Sequence, residues 1–206
     1  MQLLGNTTSP YVRIARIGLI EKGLDIPNTI VDPWADDTRL RTANVAARVP
    51  ALILEDGTSL TESLLIVQWL EHTRPAPTHP SLIGPDAAGV LARAGIAMGI
   101  IDAAVHTLIT RKVTAPVLFD ETPVGVRRQR TMAQGMQQLE DMAAGTSMVA
   151  DLSPRLDTIC VITALDYLRF RFPDASWLPA LATLDRLSAR LRQRHSFAVT
   201  MPVNPN

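Results

Sequence analysis

Three short stretches set polar side chains beside the ends of regular elements. The first is Thr7-Thr8-Ser9-Pro10, where a short apolar run gives way to a helical pattern. The first amides of a helix lack intrahelical partners and carry the positive end of its dipole, so an anion is favoured there. A hydroxyl at that point can donate a hydrogen bond to a thiolate. Together the two effects lower a thiol pKa by about one to two units from roughly 8.5. The same residues also read as a cap, with Ser9 at the N-cap and Pro10 in the first helical position. On spacing alone the cap is the plainer reading.

The second stretch is Arg48-Val49-Pro50-Ala51-Leu52, with a proline immediately before a strand. A cis Val49-Pro50 bond would turn the Val49 amide and carbonyl toward a ligand, and an extended peptide could pair with them. A simple strand start is the alternative. The third is Leu60-Thr61-Glu62-Ser63, leading from a hairpin into a helix. An exposed Ser63 hydroxyl with the adjoining amides suits a carboxylate, and Glu62 suits an ammonium group. A ligand carrying both, as an α-amino acid terminus does, fits the pair. Capping by Thr61 or Ser63 is the competing reading.

Composition limits what else the chain does. Apolar residues make up 47% and charged residues 19%, which suits a globular core rather than a disordered chain. Lys plus Arg equals Asp plus Glu at 20 each, so no electrostatic nucleic-acid binder is expected. The single cysteine, Cys160, lies in an apolar run and reads as buried and inert. The four histidines are scattered, and no Cys or His pair has metal-ligand spacing, so no metal is expected. GxGxxG, GxxxxGK[ST] and GxSxG are all absent. No basic region precedes an apolar core at the N-terminus, and the longest uncharged apolar stretch, 94–101, is too short to span a bilayer. The expectation is a cytoplasmic protein without a membrane association.

The elements that must position these residues follow two grammars. In the first 73 residues, strands are expected at Gln2–Leu4, Pro27–Val31, Ala51–Leu54 and Ser59–Leu60. The last two flank Asp56-Gly57, a hairpin signal. Helices are expected at Pro10–Lys22, with Arg13, Arg16, Glu21 and Lys22 outside and Gly23 ending it; weakly at Asp37–Ala47; and after Ser63 to about Thr73. Residues 74–86 carry four prolines and read as a linker. Beyond it the pattern is helical. Ala87–Ala115 is rich in small residues that let backbones approach. A second helix starts at Thr122-Pro123. A third is capped by Ser153 with Pro154 in its first turn, and a fourth covers Trp177–His195. A mixed α/β domain, 1–73, therefore precedes an all-α domain, 87–206.

Taken in order, TTSPYVRIARIGLIEKG, ARVPALILEDGTSLTESLLIVQWLE and the helical half resemble the glutathione transferase family across nearly the whole chain. MGIIDAAV, ALDYLRFRFP and HSFAVTMP are similar to one bacterial branch of it. The resemblance implies a thioredoxin-like N-terminal domain and an all-α helical-bundle C-terminal domain. It also implies glutathione as co-substrate, a small electrophile as second substrate, and a homodimer engaged in detoxification. By resemblance Ser9 faces the glutathione sulfur, although Asn6, Thr7 or Thr8 could do so instead. Val49, before a cis Pro50, pairs with the cysteinyl backbone. Glu62 and Ser63 hold the γ-glutamyl end, Arg48 stands near the glycine carboxylate, and Asp157 matches the acid of a helix-capping motif. The electrophile is expected near helix 94–112, with Met98, Ile101, Asp102, Val105 and His106. SPYV also resembles the CPYC site of glutaredoxins with both thiols missing, which argues against disulfide exchange. A glutathione-dependent reductase or isomerase, and a noncatalytic interaction protein, are the alternative readings. The departures are Asn44-Val45-Ala46-Ala47 before Arg48, where relatives carry Asn-Pro and Gly, and Pro154 in place of a capping Ser or Thr.

Overall fold

The computed structural model describes residues 1–116, 118–144 and 153–204. The chain forms two compact units, 1–84 with 192–206, and 85–191. The first differs from the domain read in the sequence, because residues after 191 pack along the helix Pro10–Glu21 and belong with the sheet unit.

The first unit contains β1 (Gln2–Gly5), α1 (Pro10–Glu21), β2 (Asn28–Ile30), α2 (Thr38–Ala43), β3 (Ala51–Ile53), β4 (Ser59–Thr61) and α3 (Ser63–Thr73). The sheet order is β2-β1-β3-β4, with β1 and β2 parallel and the other pairs antiparallel. This is the thioredoxin-like arrangement. Side chains alternate across the sheet. Leu3 and Leu52 meet Ala15, Leu19, Ile66 and Leu70 of α1 and α3 on one face. Leu4 and Ala51 meet Leu40 of α2 and Val31 on the other. At the β3–β4 hairpin, Gly57 takes a left-handed φ of 86°, as a tight turn favours. The Asp56 carboxylate accepts from Thr58 N at 2.9 Å.

Helix α2 is shorter than the sequence pattern. Asp37 caps its start, accepting from Arg39 N at 2.9 Å. Asn44 ends it by folding its side chain onto the backbone: Oδ1 accepts from Ala46 N at 3.0 Å, and Nδ2 donates to Arg48 O at 2.8 Å. The polar face expected on α1 is also largely covered. Arg13 and Lys22 are buried, at 4% and 0% exposure, because residues from 71–74 and 194–201 lie over them.

The second unit contains α4 (Ala87–Thr114), a 3-10 turn (Phe119–Glu121), α5 (Pro123–Ala144), α6 (Leu156–Arg171) and α7 (Ala182–Leu191). Helix α4 is long and apolar enough to cross a membrane by length and composition, unlike the shorter uncharged stretch within it. It packs instead against α5 and α6. The close approach lies at Gly135 of α5, where a Cβ would come 2.7 Å from Ile100; Gly95 and Gly99 of α4 face open space. Helix α6 starts at Leu156, not at Pro154. Its entry is fixed by Thr158, whose hydroxyl accepts from Arg155 N at 3.0 Å, so Ser153 is not the cap. The fourth helix begins at Ala182 because Pro179 interrupts the run before it. Glu140 of α5 caps it, accepting from Thr183 N at 2.6 Å and Leu184 N at 2.9 Å. His195 belongs to a separate short helix, α8 (His195–Ala198), in the first unit. Cys160 is fully buried. Burial, then the nearby charge of Asp157, push its thiol well above its ordinary value, so it is not a thiolate at neutral pH.

Candidate functional site

The strand register brings the three singled-out stretches to one end of the sheet. In the antiparallel β1–β3 pair, Leu4 lies opposite Ala51, and in β3–β4 Ala51 lies opposite Thr61. The chain leaving β1 toward Ser9, the Val49-Pro50 step entering β3, and the Glu62-Ser63 step leaving β4 therefore share that end. Helices α1 and α3 both begin there, so two positive dipole ends converge.

Ser9 is the N-cap of α1, and Pro10 takes the first helical position. Its Oγ accepts from Val12 N at 3.3 Å. Accepting that bond leaves the hydroxyl proton to donate, and the polarisation makes it a better donor. Capping and anion binding are thus compatible at this residue. The approach to Ser9 is shaped by Asn6, whose Oδ1 accepts from Thr8 N at 3.2 Å and Ser9 N at 2.8 Å. Thr7 is engaged elsewhere: its hydroxyl donates to Val203 O at 2.9 Å. Sequence reading names Asn6 only as a possible contact to sulfur. Its short-range pattern, Asn followed by hydroxyl residues, is nevertheless the signal of a side-chain-to-backbone turn.

The Val49-Pro50 peptide bond is cis. Pro50 is buried and Val49 half-buried, packed against the α2 side of the sheet. The sheet ladder begins only at Ala51, so Val49 stands just outside it.

Glu62 is the N-cap of α3 with a left-handed φ of 64° and makes no side-chain capping bond. A non-glycine residue rarely adopts that backbone. Neither Thr61 nor Ser63 caps the helix in its stead. Ser63 is not exposed as the sequence suggested: it is 1% accessible. The reason is helical spacing, since Ser63 starts the stripe Ser63, Ile66, Val67, Leu70 that faces the core. Arg48 and Glu62 are both exposed, and Arg48 Nη1 lies 3.5 Å from Glu62 Oε1. The backbone carbonyl of Arg48 is the one held by Asn44.

In the helical unit Ile101 is buried in the core, Met98 and Val105 are half-buried, and Asp102 and His106 are exposed on α4. Asp157 is buried at the start of α6, where its Oδ2 accepts from Arg93 Nε at 2.7 Å. It is a core ion-pair partner as well as an acid in the first turn. Among the described residues, no group of three or more His, Cys, Asp or Glu could hold a metal ion.

Comparison with known proteins agrees with this fold. A family model for the glutathione S-transferase N-terminal domain matches residues 3–78. A glutathione S-transferase from Methylobacterium radiotolerans, solved in complex with glutathione sulfonate, is 31% identical; the match covers 100% of this chain and 96% of that one, with a TM-score of 0.82. A glutathione S-transferase from Methylobacillus flagellatus, solved with glutathione bound, is 28% identical, covering 98% of this chain and 99% of that one, with a TM-score of 0.84. The uncharacterized GST-like protein YibF of Escherichia coli is 28% identical over 98% of both chains. The two-helix cradle at the end of the sheet, the cis Val49-Pro50 step and these whole-chain matches place the protein in the glutathione S-transferase family.

Proposed function

We propose that the protein binds glutathione at the end of the sheet and adds its thiolate to a small electrophile. The observation that carries this reading is the convergence of Ser9, Val49-Pro50 and Glu62-Ser63 at one sheet end, where α1 and α3 both start. The Ser9 hydroxyl and the first turn of α1 stabilise the thiolate. Val49 pairs its backbone with the cysteinyl residue. Glu62 accepts from the γ-glutamyl ammonium, and the uncapped amides at Ser63 hold its carboxylate. Catalysis rests on binding and on lowering the thiol pKa, with no covalent enzyme intermediate.

Arg48 is the residue whose role changes on this reading. Resemblance sets it at the glycine carboxylate. Its 3.5 Å approach to Glu62 favours the opposite end, where a cation beside Glu62 complements an amino acid zwitterion. The buried, thiol-form Cys160 disfavours the reductase alternative, which needs a reactive cysteine. We assign the protein, on family grounds alone, to a cytoplasmic homodimer.

Calorimetry with glutathione on the wild type and Glu62→Gln is the direct test, followed by a conjugation assay with a chloronitrobenzene. The expected outcome is micromolar-to-millimolar binding that weakens in the variant, together with thioether formation. A wild type that does not bind glutathione leaves a noncatalytic interaction protein as the better reading.

A further inference from the structure

The C-terminal residues of the first unit run back along α1. Arg194 makes a two-pronged contact with the Glu21 carboxylate, Nε to Oε1 at 3.2 Å and Nη2 to Oε2 at 2.7 Å. Ser196 donates to the same carboxylate. Thr200 ties α8 to the following turn by donating to Ser196 O at 2.7 Å. Arg13 Nη2 then donates to the Met201 sulfur at 3.3 Å. At the far end Val203 brackets Thr7: Thr7 Oγ1 donates to Val203 O at 2.9 Å, and Val203 N donates to Thr7 O at 3.3 Å. As the tail number rises from 194 to 203, the partner number falls from 21 to 7. The segment is therefore antiparallel to α1 and reaches the loop that carries Ser9.

These contacts are built rather than incidental. Ser196, Phe197, Thr200 and Arg13 are all buried, each at 4% exposure or less. The Glu21 anchor has a side chain only 7% exposed, and it is met by a planar guanidinium in bidentate geometry. The last contact falls on Thr7, two residues before Ser9 and one after Asn6, whose side chain holds the Thr8 and Ser9 amides. Both polar groups of Thr7 that bond Val203 face the tail, and its hydroxyl proton is used there.

We propose that residues 194–203 are a strap that fixes the Thr7–Ser9 loop, and that Thr7 is a positioning residue acting through that loop on the Ser9 hydroxyl. The part concerning the thiolate rests on the glutathione reading above; the part concerning loop order does not. Without the strap, the loop keeps only the Asn6 turn and the Ser9 cap bond to Val12 N, and the Ser9 hydroxyl samples more orientations. A hydrogen bond to thiolate is steeply dependent on angle, so this loosening raises the bound thiol pKa and leaves the grip on the peptide backbone of glutathione largely as it was.

Two variants test this: Val203→Pro, which removes the N–H donated to Thr7, and Thr7→Val, which keeps the shape and removes the hydroxyl. In the unliganded protein, amide hydrogen exchange at Ser9 is expected to accelerate about tenfold or more in each, with Ile17 and Leu19 in mid-helix unchanged. With glutathione added, thiolate absorbance should show the bound thiol pKa raised by about half a unit or more. Affinity for S-methylglutathione, which has no ionisable thiol, should change less than about twofold. Wild-type exchange at Ser9 in both variants overturns the strap. Faster exchange with an unshifted thiol pKa overturns Thr7 as a positioning residue. A wild type that binds neither glutathione nor its S-methyl form defeats the transferase reading, and the exchange result then still decides the strap.

Discussion

The Arg48 guanidinium and the Glu62 carboxylate lie 3.5 Å apart, with side chains 61% and 51% exposed. A pair this open contributes at most about 1 kcal/mol to stability, so a ligand displaces it readily. What matters is that a cation and an anion sit side by side. Arg48→Ala separates two assignments for the residue. If Arg48 serves the γ-glutamyl end, affinity falls by the same factor, about fivefold to thirtyfold, for glutathione and for γ-glutamylcysteine, which lacks glycine. If it serves the glycine carboxylate, only glutathione binding weakens. Calorimetry with the two peptides decides it, and the melting temperature should hardly move.

Ser9 combines two duties that substitutions can pull apart. Ser9→Ala removes the oxygen that accepts from Val12 N, at a cost of about 1 kcal/mol in stability. It also removes the thiolate donor, raising the bound thiol pKa by about one to two units. Ser9→Asp keeps a good cap oxygen and so keeps stability near wild type. Its carboxylate repels the thiolate, and the thiol pKa should rise further than in the alanine variant. Urea unfolding and the pH profile of conjugation measure the two effects separately. Parallel loss of stability and activity across both variants would mean that Ser9 acts as a cap alone.

Local grammar accounts for what could be read without coordinates. The Asp56-Gly57 turn, the Ser9-Pro10 helix start and the alternation in β1 and β3 each depend on residues within a few positions of one another, and all three stand in the fold. Long-range contacts account for most of what local pattern does not carry. Arg13 and Lys22 look like a solvent face because helical periodicity counts charges and knows nothing of residues 71–74 or 194–201, which cover them. Ser63 looks exposed as a hydroxyl in a polar turn, yet it begins a buried stripe about two turns long. The entry to α6 misled for a different reason. Ser-Pro is a sound local start signal, but Thr158 supplied a competing bond to Arg155 N and set the helix two residues later.

Arg93 and Asp157 form the polar centre of the helical unit, at 5% and 0% exposure, with Nε to Oδ2 at 2.7 Å. Arg93 also reaches Asp86 at 3.3 Å, and Asp86 caps α4 by accepting from Gly89 N at 3.1 Å. One guanidinium thus links the starts of α4 and α6. Asp157→Asn leaves that buried guanidinium with only the exposed Asp86 as an anion, and we expect a loss of about 3 kcal/mol. Asp86→Asn, at an exposed cap where Asn is nearly as good as Asp, should cost less than about 0.5 kcal/mol. Chemical denaturation of the two variants checks the contrast, and equal effects would remove Arg93–Asp157 from its central place.

Lys22 is wholly buried, its ammonium 2.7 Å from Glu71 Oε1 and donating to Arg74 O at 2.9 Å. Burial by itself would raise the Glu71 carboxyl. Hydrogen bonds from Lys22, the Leu82 amide and the Ser81 hydroxyl outweigh it and hold the carboxyl below its ordinary value of 4.5. A carboxyl depressed in the folded state binds fewer protons there than in the unfolded chain. Its contribution is therefore complete above about 4.5 and is lost as pH falls through the lower folded value. Glu71→Gln leaves the Lys22 charge buried beside a neutral amide, and we expect a loss of about 2–3 kcal/mol at pH 7. The gap between the wild type and Glu71→Gln should narrow as pH drops below about 4.5, where the unfolded wild type takes up the proton first, and close only below the lowered folded value. Lys22→Met should cost less, since Glu71 is partly exposed and keeps Ser81 and the Leu82 amide as donors. Thermal unfolding of the three proteins between about pH 3 and 7 reads both effects. A pH-independent gap would assign the loss to packing rather than to charge.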